Sequence, residues 1–153
     1  MADFDISVVI NRPIEMVFSN TTCLKGCVNW FSGVRSAEKL NDEPAQVGSR
    51  YKHSVGIMGI STEAYPTITA MEAPHHFAFA DTSNANYQYD VTYTFEETPE
   101  GTQVKTHVEL QTTPSALGRI AEPILVIGMK RQFQNDLHTL KDLLENDIAV
   151  QAT

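Results

Sequence analysis

His53, Glu63 and Tyr65 flank Gly59 in a stretch where apolar and polar residues alternate. If a hairpin turns at Gly59, Ile57 lies opposite Ser61, Val55 opposite Glu63 and His53 opposite Tyr65. Tyr51, His53, Val55 and Ile57 then share the more apolar face, and Lys52, Ser54 and Gly56 the other. That arrangement sends His53, Glu63 and Tyr65 inward together. An imidazole beside a carboxylate can hold or release a proton near neutral pH, so His53 and Glu63 are the candidate acid and base of an enzyme. A one-residue slip in register would put all three outside.

Tyr87, Tyr89 and Tyr93 recur on one face of another alternating stretch. Three inward phenols need partners for their hydroxyls, which suits either an amphipathic pocket or a core with its hydroxyls at the rim. Cys23 and Cys27 are four apart, a spacing that is not a CxxC redox pair and lacks nearby ligands to complete a metal site. They are expected to be reduced structural thiols. Adjacent His75 and His76 point to opposite faces of a strand and cannot share one ion. Trp30 and Phe31 read as core anchors, with a cavity gate as the sharper alternative. Arg131 lies off the apolar side of its helix and reads as solvated, and Arg119 and Glu122 stand at a pairing distance on a helix. No phosphate loop, dinucleotide fingerprint or Gly-X-Ser-X-Gly element is present, and no cofactor or metal is expected.

The elements that must position these residues follow from period. Phe4, Ile6, Val8 and Ile10 alternate with polar residues, which predicts a half-buried strand over 3–10. Asn11 and Pro13 suit the start of a short helix over 14–19, and a second short helix is expected over 21–30, weakened by Gly26. Period two then predicts strands over 34–40, 48–58, 61–71, 76–82, 86–96 and 102–111, joined as an antiparallel meander. Residues 118–146 read as a long helix kinked at Pro123, with Val126, Phe133, Leu137, Leu140 and Leu144 in one stripe flanked by Met129. Within it, residues 124–129 are apolar all round. They must be covered by loops, line a pocket or meet another subunit.

The chain has 153 residues, 19 Asp+Glu and 11 Lys+Arg, for a formal charge of -8. Residues 1–62 carry six acids and six bases, and residues 63–153 carry thirteen acids and five bases. Such an acidic surface disfavours nucleic acid, and no apolar run is long enough for stable membrane insertion. The opening MADFDISVVINRP lacks the order of a secretory signal, so a cytoplasmic location is expected. One domain is expected over 1–147, with 148–153 as a tail.

Seven strands and one long helix have few packing solutions, and the favoured one lays the helix across a strongly curved antiparallel sheet. The order strand, two short helices, six strands and a long helix resembles the START-related helix-grip superfamily (SRPBCC), in its polyketide cyclase/dehydrase-like branch. "INRPIEMVF", "VGSRY", "YTFEETPEGTQV" and "PSALGRIAEPILVIGMKRQFQNDLHTLKDLLE" carry the resemblance. It implies an α+β fold with a cavity between sheet and helix that accommodates hydrophobic or amphipathic small molecules. It supplies no catalytic motif.

The expected function is binding or transport of such a molecule by a monomer or homodimer. The expected ligand-binding residues are Tyr51, His53, Val55, Ile57, Glu63, Tyr65, Tyr87, Tyr89, Val91, Tyr93, Ile124 and Phe133. One alternative is a cyclase/dehydratase-type enzyme on a polyketide-like or related aromatic substrate, with His53 or Glu63 removing a C–H proton. The other is a protein-binding adaptor presenting its acidic strand face.

Overall fold

Alternation shapes the first element. Phe4, Ile6, Val8 and Ile10 turn inward from β1 (Ala2–Ile10), while Asp3, Asp5 and Ser7 face water. The structure, a computed structural model, describes residues 2–57, 60–83, 87–112 and 122–148. After β1 come α1 (Ile14–Thr21), one turn of 3-10 helix (Gly26–Asn29), β2 (Val34–Lys39), β3 (Tyr51–Ile57) and β4 (Ile60–Ala64). Then follow β5 (Thr67–Glu72), β6 (His76–Asp81), β7 (Tyr87–Thr98), β8 (Gly101–Thr112) and the long α2 (Glu122–Glu145). This is a helix-grip fold, an antiparallel sheet system wrapping the C-terminal helix, with the short helical pieces between β1 and β2.

The strands form two antiparallel sheets, β1-β8-β7-β6-β5 and β2-β3-β4. An Arg50–Thr67 bridge links them, reinforced by Ile68 N–H to Ser49 O at 2.9 Å and Tyr51 N–H to Pro66 O at 3.0 Å. The single strand expected over 61–71 is therefore two, which makes eight strands rather than seven. Pro66 has no N–H to give a ladder, so the chain changes sheets there. Buried Asp81 holds the break: it accepts from Tyr65 N–H at 2.8 Å and from the Ser83 N–H at 2.8 Å.

Two helical expectations also shift. Asn11 does not cap α1. Pro13 holds that position, and the Asn11 N–H bonds Glu145 Oε2 at 2.8 Å. The second helix shrinks to the 3-10 turn because Thr21 and Thr22 bond back to the Val17 and Phe18 carbonyls and close α1, and Gly26 follows. Pro123 stands in the first turn of α2, where its missing N–H costs little. Residues 118–121 of the expected helix, with Arg119, lie outside the described residues, as does the expected tail beyond Ile148.

The α2 stripe closes the core. Leu137, Leu140 and Leu144 are fully buried, and the helix lies along β1. Gln134 Nε2 donates to Ser7 O at 3.0 Å, Lys141 Nζ to Val9 O at 2.6 Å and Arg12 Nη2 to Glu145 O at 2.5 Å. These bonds fasten the C-terminal half of α2 to β1 and its exit.

Gly101, in the β7–β8 turn, sits at φ +133°, and a Cβ there would meet Ile10 O at 2.2 Å and Asn11 Cα at 2.8 Å. Both obstacles are backbone, so neither can swing aside. Gly101→Ala is expected to lower the unfolding free energy by about 1–3 kcal/mol, read by urea denaturation. An unchanged midpoint would show that the turn can relax.

Candidate functional site

Between the inner face of the sheet and α2 lies a cavity of about 70 Å³. One water occupies roughly 10–15 Å³ of such space, so there is room for several waters or a small organic molecule of that size. Cross-strand partners Phe79, Val91 and Val108 form its floor, with Tyr89 and Tyr93 on either side of Val91 along β7. His53 and Val55 enter from β3, and Leu24, Cys27, Trp30 and Phe31 from the segment around the 3-10 turn. Met129, Gln132 and Phe133 of α2 form the roof. Phe133 meets Phe4 edge-on at 5.5 Å and Phe31 at 4.7 Å, which fixes its ring. A Cβ on Gly33 would lie 2.6 Å from Gln132 Nε2, so any side chain there would make the Gln132 amide shift.

Among the described lining residues none is Lys, Arg, Asp or Glu. The polar groups are few, and three of them can be assigned states. His53 Nε2 lies 2.8 Å from the Leu24 carbonyl, which can only accept, so Nε2 carries the proton and Nδ1 keeps its lone pair. Burial lowers the His53 pKa, against a smaller upward push from that hydrogen bond, and holds the ring neutral. Cys27 Sγ lies 3.9 Å from the same Nε2, but the thiol donates to the same Leu24 carbonyl at 3.1 Å. Both donors converge on one acceptor, so the imidazole is not placed to take the thiol proton. Burial pushes the Cys27 thiol up to about 12, which makes it a poor nucleophile.

The third group is Trp30. Its side chain is buried, and its Nε1–H finds no hydrogen-bond partner among the described residues. An unpaired buried donor costs about 1–3 kcal/mol. Deeper along α2, buried Asp136 accepts from Ser32 while its Oδ2 stays without a partner among the described residues, and burial raises its pKa.

The sequence-based site is divided by this geometry. His53, Val55, Tyr89, Val91, Tyr93 and Phe133 come together around the cavity. Glu63 and Tyr65 do not. Ile57 pairs with Ile60, so His53 faces Ala64 and Ser54 faces Glu63, one residue away from the register that a turn at Gly59 requires. Glu63 therefore stands outside with Lys52, at 3.5 Å, and accepts the Tyr65 hydroxyl at 2.8 Å. Tyr51 is buried in the core without lining the cavity, and Ile124 is 61% exposed. The side chains of Ile57 and Tyr87 lie outside the described part of the structure. The apolar segment 124–129 splits by face: Met129 roofs the cavity, Val126 packs on the core, and Ile127 is exposed like Ile124.

Sequence reasoning missed most of the lining outside β3 and β7. Pairing the expected strands about Val91 points to Phe79 and Val108, so those two carried a usable signal. Trp30 and Phe31 read first as core anchors and only secondarily as a cavity gate, and Gln132 carried no signal because it sits beside the helix stripe.

His53 gives the site a pH signature. Its folded pKa lies below the ordinary 6.5, so beneath that value the unfolded chain binds a proton that the folded one refuses. Stability due to this group is present above pH 6.5 and lost as pH falls. His107, held by Asp5 at 2.8 Å, has a raised pKa and the opposite slope. His53→Gln keeps an N–H for Leu24 and removes the titration. Its stability relative to wild type is expected to rise between pH 7 and pH 5 in paired urea melts; parallel curves would mean His53 charges freely.

The family model described as polyketide cyclase/dehydrase and lipid transport matches residues 1–145. The chain belongs to that family. No curated protein matches it. A solved protein of Thermus thermophilus is similar at a TM-score of 0.81 and 18% identity, over 95% of this chain and 99% of its own. One of Deinococcus radiodurans gives 0.70 and 19% identity over 97% and 100%. A START superfamily protein from Mycobacterium smegmatis gives 0.71 and 12% identity over 95% and 96%. At these identities the solved structures show the fold alone. Among the described residues, no helix is long and apolar enough to cross a membrane.

Proposed function

We propose that this family member binds a small hydrophobic or amphipathic molecule in the cavity between the sheet and α2. The observation that carries the reading is the cavity itself: an apolar-walled space left open in a core that is otherwise filled by Phe77, Phe95 and the α2 leucines. Interiors pack to crystal-like density, so a space of this size facing a few polar atoms is a binding feature rather than a packing average. Val55, Tyr89, Val91, Tyr93 and Phe133 are the proposed contacts, with His53 as the orienting polar group. The binding unit is one domain over 1–147.

Native mass spectrometry of the purified protein, followed by solvent extraction and mass analysis, tests the reading. A retained small molecule is expected. Absence of any retained molecule together with no uptake of small cyclic hydrocarbons would overturn it.

A cyclase/dehydratase activity is a second reading, favoured by one observation: His53 is neutral and keeps an unprotonated Nδ1 at a cavity that also has two tyrosines. Such a base could take an acidic C–H proton while a phenol donates to the developing enolate. Glu63 has no part in it, being outside. If substrate turnover were found and His53→Gln left it unchanged, this reading would fall.

A further inference from the structure

The cavity comes nearest to the surface where the loop after the 3-10 turn meets α2. Most of its described lining residues are buried, but Phe31, Gln132 and Phe133 are half-buried, so each borders both the cavity and the outside. They lie together: the Phe31 and Phe133 rings meet at 4.7 Å, and the Gln132 amide lies over Gly33. Tyr89 is the other half-buried residue of the described lining, and it belongs to a strand paired on both sides.

The loop is fastened at both ends by backbone hydrogen bonds. The Cys27 carbonyl accepts the Trp30 and Phe31 N–H groups at 3.1 and 2.7 Å, and the Gly33 carbonyl accepts the Gly56 N–H at 2.8 Å. Ser32, exposed between these ends, gives its N–H and its O–H to Asp136 of α2. Asp136 is 3% exposed, and its Oδ2 has no partner among the described residues. A buried carboxyl is costly unless hydrogen bonds offset its desolvation. Here the offset comes from one exposed loop residue, so the carboxyl ties that loop to the helix.

We propose that the seam between residues 31–33 and α2 is the entrance to the cavity, and that the Ser32–Asp136 pair is the latch that holds it shut. Opening the seam parts Phe31 from Phe133 and breaks the two Ser32 bonds. The ladders of β3, β6, β7 and β8 stay intact. Neither Ser32 nor Asp136 lines the cavity, so the latch sets the rate of passage and leaves affinity to the walls. This assignment rests on the binding function proposed above and adds the route by which an occupant enters.

Fluorobenzene tests it, because fluorine NMR reads affinity from a titration and entry and exit rates from exchange between free and bound signals. Ser32→Ala removes one of the two bonds at an exposed position, with its fold checked by urea denaturation. Entry and exit are both expected to quicken about fivefold, the effect of one ordinary hydrogen bond, with the dissociation constant unchanged. Ser32→Thr keeps the hydroxyl and is expected to return both rates to those of wild type.

Unchanged rates in Ser32→Ala would overturn the latch and leave the cavity reading standing. So would an affinity that falls as steeply as the exit rate rises, since Ser32 would then act on the bound state rather than on passage. No uptake of fluorobenzene by the wild-type protein would count against the cavity reading and remove this inference with it.

Discussion

Phe95→Ala is expected to lower the unfolding free energy by about 3–5 kcal/mol, the range for deleting a fully buried phenylalanine. Phe95 is fully buried on β7, meets Phe18 of α1 edge-on at 5.1 Å and stacks on Tyr93 at 6.3 Å. Removing the ring takes away its transfer free energy and leaves a void between α1 and the sheet, since backbone-bonded strands cannot collapse onto it. Phe95 does not line the cavity beneath α2. The folded fraction should therefore keep its probe affinity while the urea midpoint falls. A loss below about 1 kcal/mol would show that α1 closes onto the sheet.

Val91→Phe tests the other compartment. Val91 lies at the centre of the cavity floor, between Phe79 and Val108 in register. A phenyl group there projects into the open space. Probe binding is expected to weaken at least 100-fold, equivalent to about 2.8 kcal/mol at 1.4 kcal/mol per tenfold. Stability should change far less than in Phe95→Ala, because the new ring occupies room that already exists, whereas overpacking a filled core costs about 1–3 kcal/mol. Retained affinity would place the ligand elsewhere. The two substitutions lie four residues apart on one strand and are expected to dissociate stability from binding.

The fold was legible because its signals are periodic. The alternation of Tyr89, Val91, Tyr93 and Phe95 marks an inward strand face, and Leu137, Leu140 and Leu144 mark one side of a helix. Strand existence survived local errors. Facing residues depend on register, however, and register turns on a single residue at a hairpin. One step between a turn centred on Gly59 and the observed Ile57–Ile60 pair moved Glu63 and Tyr65 from the proposed interior to the surface. His53 kept its place because its own strand, rather than the partner strand, decides its face.

Two further placements could not be read from periodicity. Trp30 stands at the end of a 3-10 turn, where no repeat tells which way a side chain points. Asp136 reads in sequence as an ordinary charged residue on a helix, yet it is buried beside Ser32. Its burial depends on the loop laid over α2, a tertiary contact that local pattern does not encode. The Tyr65–Pro66 break was visible as a proline, but its effect, moving the chain from one sheet to the other, needed Asp81, at the end of β6, to receive the freed Tyr65 N–H.

The bonds from Ser7, Val9 and Arg12 to α2 also give the helix a mechanical polarity. Its Leu137–Glu145 end is clamped by buried leucines and by backbone-directed hydrogen bonds, while Met129, Gln132 and Phe133 hang over the cavity beyond that clamp. Prising up its Glu145 end would break the hydrogen bonds to β1 and expose three leucines at once, so among the described residues the anchoring of the helix and the roofing of the cavity fall to different stretches of it.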